Sequence, residues 1–209
     1  MRRLVIDSAT EDCSVALFDG DDLIAGECLA LGRGHAERLV PMIAALPGKG
    51  HADAIAVDCG PGSFTGIRVG LAAARALALA WGARIEGFES LALVAAMARR
   101  DHPQAAIDVV MTGGHGEWFF QSFDAAGRPS EPVLSLTPDD AVARSTAPLV
   151  AGSQAEAVAA RRGETGAAPL ALVLRPDARA FALLPGPAIA ADPAPRYGRA
   201  PDAKLPQPR

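Results

Sequence analysis

The 209-residue chain contains few aromatic residues and no concentration of positive charge. Aromatic residues make up 5% of the sequence and hydrophobic residues 50%, so any core consists mainly of Ala, Leu and Val. The net charge is −4, and the arginines are scattered along the chain. Autonomous nucleic-acid binding depends on phosphate neutralisation by Lys and Arg. The composition therefore argues against a protein that binds RNA or DNA tightly by itself.

Cysteines and long apolar runs are also scarce. The three cysteines lack any Cys-x-x-Cys spacing, which favours buried free thiols in a reducing compartment over disulfides; they are Cys13, Cys28 and Cys59. The apolar run near the N-terminus is too short for a signal peptide. The longest apolar stretch, residues 69–81, is short and contains Arg75. We therefore expect no membrane span and a cytoplasmic location.

The most informative segment is residues 60–70, which read Gly-Pro-Gly-Ser-Phe-Thr-Gly-Ile-Arg-Val-Gly. A glycine-rich turn between a strand and a helix presents backbone N–H groups to an anion or to a closely approaching backbone. No Lys-Ser or Lys-Thr pair follows, which excludes a Walker A loop. The third glycine of a dinucleotide fingerprint would fall on Thr65. The residues expected near a nucleotide or anion are Asp7, Gly60, Gly62, Ser63 and Gly66.

Hydrophobic patterning predicts an α/β chain that begins with an antiparallel three-strand meander. Pro41 lies inside the first predicted helix, where it would cause a kink or a late start. In chain order the first half is predicted as strands 3–9, 13–19 and 22–30, helix 35–46, strand 54–59, the glycine loop, helix 67–81, strand 84–88 and helix 90–100.

A break at residues 101–104 marks a predicted subdomain boundary. The second half is predicted as strands 106–111, 117–123 and 132–136, helices 138–144 and 154–162, a loop at 163–169 and a strand at 170–174. Seven of the 17 prolines fall after residue 184, so that tail is either disordered or extended over the surface. The predicted units are residues 1–103, residues 104–184 and a proline-rich tail at 185–209.

Helix 67–81 carries small residues at every fourth position, a ridge that allows another helix to approach closely. The ridge consists of Gly66, Gly70, Ala74, Ala78 and Gly82. A separate apolar stripe of Val69, Leu77 and Trp81 could cover the sheet. A helix that is apolar nearly all round is buried on more than one side. The ridge could therefore pack inside one monomer, between the sheet and helix 35–46, or against another subunit.

Two acidic residues stand near predicted strand ends, Asp7 after the first strand and Asp58 near the end of the fourth. Such a pair could hold Mg²⁺ for phosphodiester chemistry. The alternative, which we favour for Asp7, is capping of the turn backbone at Ser8 and Thr10. His35 has Leu39 four residues later, so it cannot form the i, i+4 histidine pair of a metal site.

Several segments resemble the TsaB (YeaZ) family, the partner subunits of the bacterial tRNA threonylcarbamoyladenosine (t6A) machinery. The Gly-Pro-Gly-Ser-Phe-Thr-Gly loop is the strongest match. The others are residues 4–17, 35–43, the Gly116–Glu117 pair and the ending 195–203. The resemblance implies a ribonuclease H-like, actin-like ATPase (ASKHA) fold with two subdomains, the second reduced. It favours a subunit interface for the small-residue ridge, because the family dimerises through its first two helices.

The resemblance also implies a non-catalytic activator of a TsaD-like catalytic subunit, working with a TsaE-like ATPase. Such a chain forms a homodimer when alone and meets tRNA only through the complex. It has no catalytic residue, metal site or cofactor of its own, because ATP or ADP and a metal ion belong to the partner complex. The implied interface residues are His35, Arg38, Leu39, Met42, Ile67, Gly70, Leu71, Ala74 and Ala78.

Where the family usually has Asp-Ala-Arg before Gly116, this chain has Thr112 at the aspartate position and no arginine. Any role of that segment in the family is therefore doubtful here. Two enzymes remain as alternatives. One is a Mg²⁺-dependent nuclease of the ribonuclease H-like class that uses Asp7 and Asp58, and the other is an actin-like ATPase that uses the glycine loop.

Overall fold

Five strands in the first half of the chain form one mixed sheet. In the computed structural model, which describes residues 1–199, the sheet has the order β3-β2-β1-β4-β5. The strands β1, β2 and β3 form the predicted antiparallel meander, and β4 and β5 add in parallel beside β1. Their bounds are β1 Arg2–Asp7, β2 Asp12–Asp19, β3 Asp22–Ala30, β4 Ala54–Asp58 and β5 Arg84–Phe88.

Three helices accompany this sheet: α1 (His35–Ala45), α2 (Phe64–Trp81) and α3 (Ser90–Asp101). Pro41 does not delay α1, which begins at His35. Helix α2 begins three residues earlier than predicted, because the Ser63 hydroxyl accepts the amide N–H of Gly66 and caps the helix. Helices α1 and α2 share one core with the sheet, built around residues such as Leu39, Ile55 and Ile67.

The second half repeats the same strand order in a smaller form, with β10-β9-β6-β7-β8. An antiparallel meander is again followed by two parallel strands, which confirms the predicted second meander. The bounds are β6 Ile107–Thr112, β7 Trp118–Phe123, β8 Leu134–Leu136, β9 Leu149–Ala151, β10 Leu170–Leu172, α4 Pro138–Arg144 and α5 Ala155–Thr165. The short strand β9 was not predicted, and α5 extends into the segment predicted as a loop.

Helix α3 lies between the two sheets and contributes to a core on each side. Leu93 packs with the first sheet and with Phe88 and Phe181. Leu91 and Val94 pack with the second sheet. Helices α4 and α5 cover the far face of that second sheet. The predicted α/β fold with two subdomains, the second reduced, is therefore confirmed.

The chain after β10 returns to the first sheet. A 3₁₀ helix at Ala178–Leu183 places Phe181 against Phe18 and Phe88. A second 3₁₀ turn, Gly186–Ala188, leads into residues 189–199, which form no regular helix or strand. The expectation of an extended surface tail fits these residues, and the rest of the predicted tail, 200–209, lies outside the described residues.

Among residues 1–199, α2 is the one helix whose length and composition would allow it to cross a membrane. Core helices of globular proteins pass the same test, and five residues of α2 are buried against the sheet. The absence of a membrane span remains a prediction.

Candidate functional site: the glycine loop, a carboxyl pair and a helical surface

Two buried carboxyl groups lie side by side at the ends of β1 and β4. The parallel register pairs Ile6 with Val57, so Asp7 and Asp58 follow at the same sheet edge. This confirms that the two strand ends are neighbours. Their exposed fractions are 0% and 1%, which makes this pair part of the interior and not an open acidic cleft.

Each carboxyl group is engaged by the turn that follows its own strand. Asp7 Oδ1 accepts the amide N–H of Ala9 at 3.0 Å, which is the capping role expected for Asp7, with a different backbone partner. Asp58 accepts the amide N–H of Gly60 at 2.7 Å and the hydroxyl of Ser90 at 2.7 Å. Asp7 Oδ2 is buried and has no hydrogen-bond partner among the described residues.

Burial changes the protonation of this pair. It raises the pKa of Asp58 to about 7, against the opposing hydrogen bonds from Ser90 and Gly60. Burial, followed by the nearby charge of Asp58, raises the pKa of Asp7 well above its ordinary value. Ionisation of both carboxyl groups would place two negative charges together in a buried site, at a high cost in free energy. The pair therefore retains a proton near neutral pH. Within residues 1–199, no group of three or more His, Cys, Asp or Glu side chains is placed to hold a metal ion.

The glycines of the loop make room for the chain's own backbone. A Cβ on Gly62 would overlap the carbonyl oxygen of Ala9, and one on Gly66 would overlap that of Ser8. A Cβ on Gly60, which has a φ of +101°, would overlap the carbonyl oxygen of Arg196. The sequence allows either an anion or a closely approaching backbone beside this loop. At all three glycines the structure has a backbone carbonyl group in that place.

Several loop amides are also used internally. The amide N–H of Ser63 donates to the Ala9 carbonyl oxygen at 2.6 Å. The amides of Gly60 and Gly66 donate to Asp58 and to the Ser63 hydroxyl. These amide donors are therefore already hydrogen-bonded within the protein, and backbone carbonyl groups fill the space next to the glycines. Through these contacts the loop connects the β1–β2 turn to α2. An anion-binding role for Gly60, Gly62, Ser63 and Gly66 remains a prediction.

The first three residues of the small-residue ridge, Gly66, Gly70 and Ala74, face the sheet, so the predicted assignment of the two faces is reversed there. A Cβ on Gly70 would lie 2.6 Å from Ser8 Oγ and 3.4 Å from Val57 Cγ2. Gly66, Gly70 and Ala74 are buried within the single chain. The stripe predicted to cover the sheet lies at the edge of the core and is only half-buried; it consists of Val69, Leu77 and Trp81.

This burial corrects most of the predicted interface. Six of the nine residues are buried in the monomer core and are inaccessible to another subunit: Leu39, Met42, Ile67, Gly70, Leu71 and Ala74. The prediction is wrong for these six, because α1 and α2 bury them in the core that they share with the first sheet. Arg38 is exposed, while His35 and Ala78 are half-buried. For these three an interface role remains a prediction.

The exposed sides of α1 and α2 nevertheless carry apolar residues, which lie among the exposed charged residues Glu37, Arg38, Arg68 and Arg75. Leu79 is 88% exposed and Val40 is 60% exposed. Alanines accompany them at helical spacing, with Ala44 four residues after Val40, and Ala72 and Ala76 preceding Leu79 on α2. The two helices contact each other. We call these five apolar residues the helical surface. Sequence reasoning missed it because it assigned the opposite face of α2 to a partner.

His35 begins α1 and does not have a second histidine one turn later. The residue at that position, Leu39, is 1% exposed and belongs to the core. The Nε2 atom of His35 is buried and has no partner among the described residues. In the altered segment, the amide of Thr112 donates to Ser153 Oγ at 2.9 Å, and Gln154 Nε2 donates to the Thr112 hydroxyl at 2.8 Å. Thr112 therefore joins β6 to the start of α5.

Comparison with known proteins gives a consistent family. The family model for TsaD, tRNA N6-adenosine threonylcarbamoyltransferase, matches residues 30–172. The Escherichia coli protein TsaB, named for tRNA threonylcarbamoyladenosine biosynthesis, is 34% identical over 128 residues, which cover 59% of this chain and 55% of that protein. A tRNA N6-adenosine threonylcarbamoyltransferase from Erythrobacter litoralis is 31% identical over 198 residues, 80% of this chain and 56% of that protein.

The chain spans about half the length of these curated relatives. Among solved structures, YeaZ from Pseudomonas aeruginosa superposes with a TM-score of 0.76 at 26% identity, covering 94% of this chain and 99% of that one. The ethanolamine utilization protein EutJ from Carboxydothermus hydrogenoformans has a TM-score of 0.52 at 11% identity over 88% of this chain and 90% of that one, which supports the fold alone. Taken with the family model, these matches show that the chain belongs to the TsaB (YeaZ) family.

Proposed function

We propose that this chain is a non-catalytic subunit of t6A biosynthesis that binds and activates a TsaD-like enzyme. The relatives named TsaB take their name from this pathway, and other relatives carry the name of the transferase itself. In this proposal the chain supplies a surface, and the TsaD-like partner supplies the catalytic metal and nucleotide site. A TsaE-like ATPase joins the complex, and tRNA binds only to the assembled complex in the cytoplasm.

The observation that carries the proposal is the helical surface. An apolar side chain that is 88% exposed, as Leu79 is, contributes no core packing and leaves hydrocarbon in water. Contiguous exposed apolar residues on a folded domain are typical of protein–protein contact sites. The alanines beside Leu79 and Val40 keep both helices narrow, which allows the helices of a partner to pack closely.

The same surface suits both a homodimer and a complex with TsaD. A twofold homodimer presents the same patch from both subunits. A TsaD-like protein belongs to the same family model, so it can offer equivalent helices in place of the second copy. We therefore propose that the homodimer of the isolated chain and the complex with the partner are mutually exclusive.

Two features support a non-catalytic role. His35 is followed one turn later by Leu39, a core residue, where an i, i+4 pair of metal ligands would need a second histidine. The glycine loop contacts the chain's own backbone at Gly60, Gly62 and Gly66, which leaves the nucleotide-binding function to the partner. The two alternatives, a nuclease using Asp7 and Asp58 and an ATPase using the loop, both require groups that are enclosed here.

Reconstitution tests the proposal. A TsaD-like enzyme, its TsaE-like ATPase, tRNA, ATP and the threonylcarbamoyl donor are combined with and without this chain, and t6A is measured by nucleoside mass spectrometry. We expect t6A only when the chain is present, and none from the chain alone. Equal t6A without the chain would contradict the activator role. Nuclease activity that disappears in Asp7→Asn or Asp58→Asn would favour the first alternative, and ATP hydrolysis by the chain alone would favour the second.

A further inference from the structure

The last described residues of the chain close over the glycine loop. Residues 193–198, which we call the clasp, run across the loop with Arg196 at the centre. The amide N–H of Arg196 donates to the carbonyl oxygen of Cys59 at 2.7 Å. The Arg196 carbonyl oxygen occupies the space where Gly60 lacks a side chain, and its guanidinium pairs with Glu89. The clasp therefore seals the loop at the end of β4.

A second set of contacts attaches the clasp to α2. The Tyr197 hydroxyl accepts a hydrogen bond from Arg68 Nε at 2.9 Å. The Tyr197 ring lies 4.8 Å from the ring of Phe64, measured between centroids. About two turns beyond Arg68 along α2, Arg75 Nη2 donates to the carbonyl oxygen of Pro193 at 3.0 Å. These contacts tie the clasp to the helix that also carries part of the helical surface.

The clasp also reaches the second sheet. A Cβ on Gly198, which has a φ of +72°, would lie 2.7 Å from the Pro61 Cβ and 2.7 Å from the Phe119 Cε1. Pro61 belongs to the glycine loop, and Phe119 belongs to β7 of the second sheet. Beside this point lies a cleft of about 870 Å³, lined by α3, the second sheet and the C-terminal segment. Gly198 therefore sits where the two subdomains and the clasp meet.

We propose that residues 193–198 are a releasable clasp that holds the two subdomains closed over the glycine loop. In the pair of Arg196 with Glu89 the side chains are 60% and 24% exposed, and the hydrogen bond between Arg68 and Tyr197 is exposed, so water reaches both contacts and they hold weakly. Release of the clasp uncovers Cys59 and the loop. It also removes Gly198 from its position between Pro61 and Phe119, where it links the glycine loop to the second sheet. The clasp is thus a conformational device that packs along α2 from Phe64 to Arg75.

Thiol labelling of the full chain tests this. Cys59 and Pro193 are close together, since a Cβ on Gly87 would lie 2.6 Å from Cys59 Sγ and 2.9 Å from Pro193 Cβ, whereas Cys13 is buried inside the first sheet. Burial raises the pKa of both thiols to about 12, so neither reacts quickly while it is covered. Modification by N-ethylmaleimide, followed residue by residue with peptide mass spectrometry, separates clasp release from global unfolding.

Gly198→Ala inserts a methyl group between Pro61 and Phe119, and Gly186→Ala is the matched control because no atom lies within 4 Å of its added Cβ. We expect Gly198→Ala to raise the labelling rate of Cys59 at least about tenfold, equivalent to ~1.4 kcal/mol of closing free energy. The labelling of Cys13 should not change. Small-angle X-ray scattering should show a larger radius of gyration than in the control.

A double variant, Arg196→Ala with Tyr197→Ala, removes clasp contacts without adding a clash and should give the same result. Unchanged Cys59 labelling in both variants would overturn the proposal. So would a parallel rise at Cys13 in both, because the protection of Cys59 would then be global. An unchanged radius of gyration with a released Cys59 would contradict closure of the subdomains by the clasp.

Discussion

Substitution of Gly66 by Ala tests whether the small-residue face of α2 packs on the sheet. The added Cβ would overlap the carbonyl oxygen of Ser8, which is backbone in the buried β1–β2 turn and cannot rotate away. Movement of that turn also strains the hydrogen bond from Ser8 Oγ to the Gly66 carbonyl oxygen, 2.8 Å long in the native protein. Both effects act on the folded monomer and require no partner.

The expected magnitude follows from these contacts. Overpacking a tight contact costs ~1–3 kcal/mol, and weakening one buried hydrogen bond costs about 1 kcal/mol. The better helix propensity of Ala opposes these losses by up to ~1 kcal/mol. The net expectation is a free energy of unfolding reduced by roughly 1–3 kcal/mol.

Urea unfolding followed by circular dichroism measures this change. Gly163→Ala is the matched control, because it lies in α5 and its added Cβ meets only Ala168 Cβ at 3.4 Å. We expect the control to be neutral or stabilised by up to ~1 kcal/mol. A Gly66→Ala variant as stable as the native protein would refute the packing of this face on the sheet.

Three further predictions concern the monomer and its charge. Ala74→Leu adds bulk at a fully buried position, so it should lower the urea midpoint of unfolding. A variant that unfolds at the native urea concentration but no longer forms a dimer would contradict this prediction. Asp58 has a pKa of about 7 in the folded state and about 3.9 when unfolded. Between these pH values the native state binds more protons than the unfolded state, so the free energy of unfolding falls as pH rises from about 4 to 7. Asp58→Asn should reduce this slope in urea titrations across that range, leaving the part that comes from the raised pKa of Asp7, while exposed Asp21→Asn should not, and equal slopes in both would contradict the buried titration. The purified chain, with its net charge of −4, should show no sub-micromolar tRNA affinity in a gel-shift assay at physiological salt.

Local patterns in the sequence account for most of the fold. Alternating apolar residues and the Asp19–Gly20 turn predict the first meander, because a hairpin turn and a period of two are both local signals. Strand β9 (Leu149–Ala151) has only three residues, too few for any periodicity, and its place beside β6 is set by tertiary contacts. The early start of α2 was readable in principle, since Ser63 precedes it as an N-cap.

The orientation of α2 could not be predicted from its composition. A row of small residues permits close approach by a helix or by a strand, and nothing in residues 66–82 distinguishes the two. The deciding contacts come from Ser8 and Ala9, more than 50 residues earlier. The clasp is equally remote, since Arg68 and Tyr197 are 129 residues apart in the chain. Such long-range contacts leave no periodic signal.

The helical surface is tested most directly by Leu79→Glu. Leu79 is 88% exposed in the monomer, so the variant should fold normally, with a stability change within about 0.5 kcal/mol. Leu170→Glu, at a 50% exposed position on β10, is the control with the same charge change on the second sheet. Isothermal titration with a TsaD-like partner, together with sedimentation of the chain alone, measures both associations. A negative charge introduced into the apolar contact should weaken each by at least ~2 kcal/mol, roughly 30-fold, while the control binds normally. Native affinity of Leu79→Glu in both measurements would contradict the proposed interface.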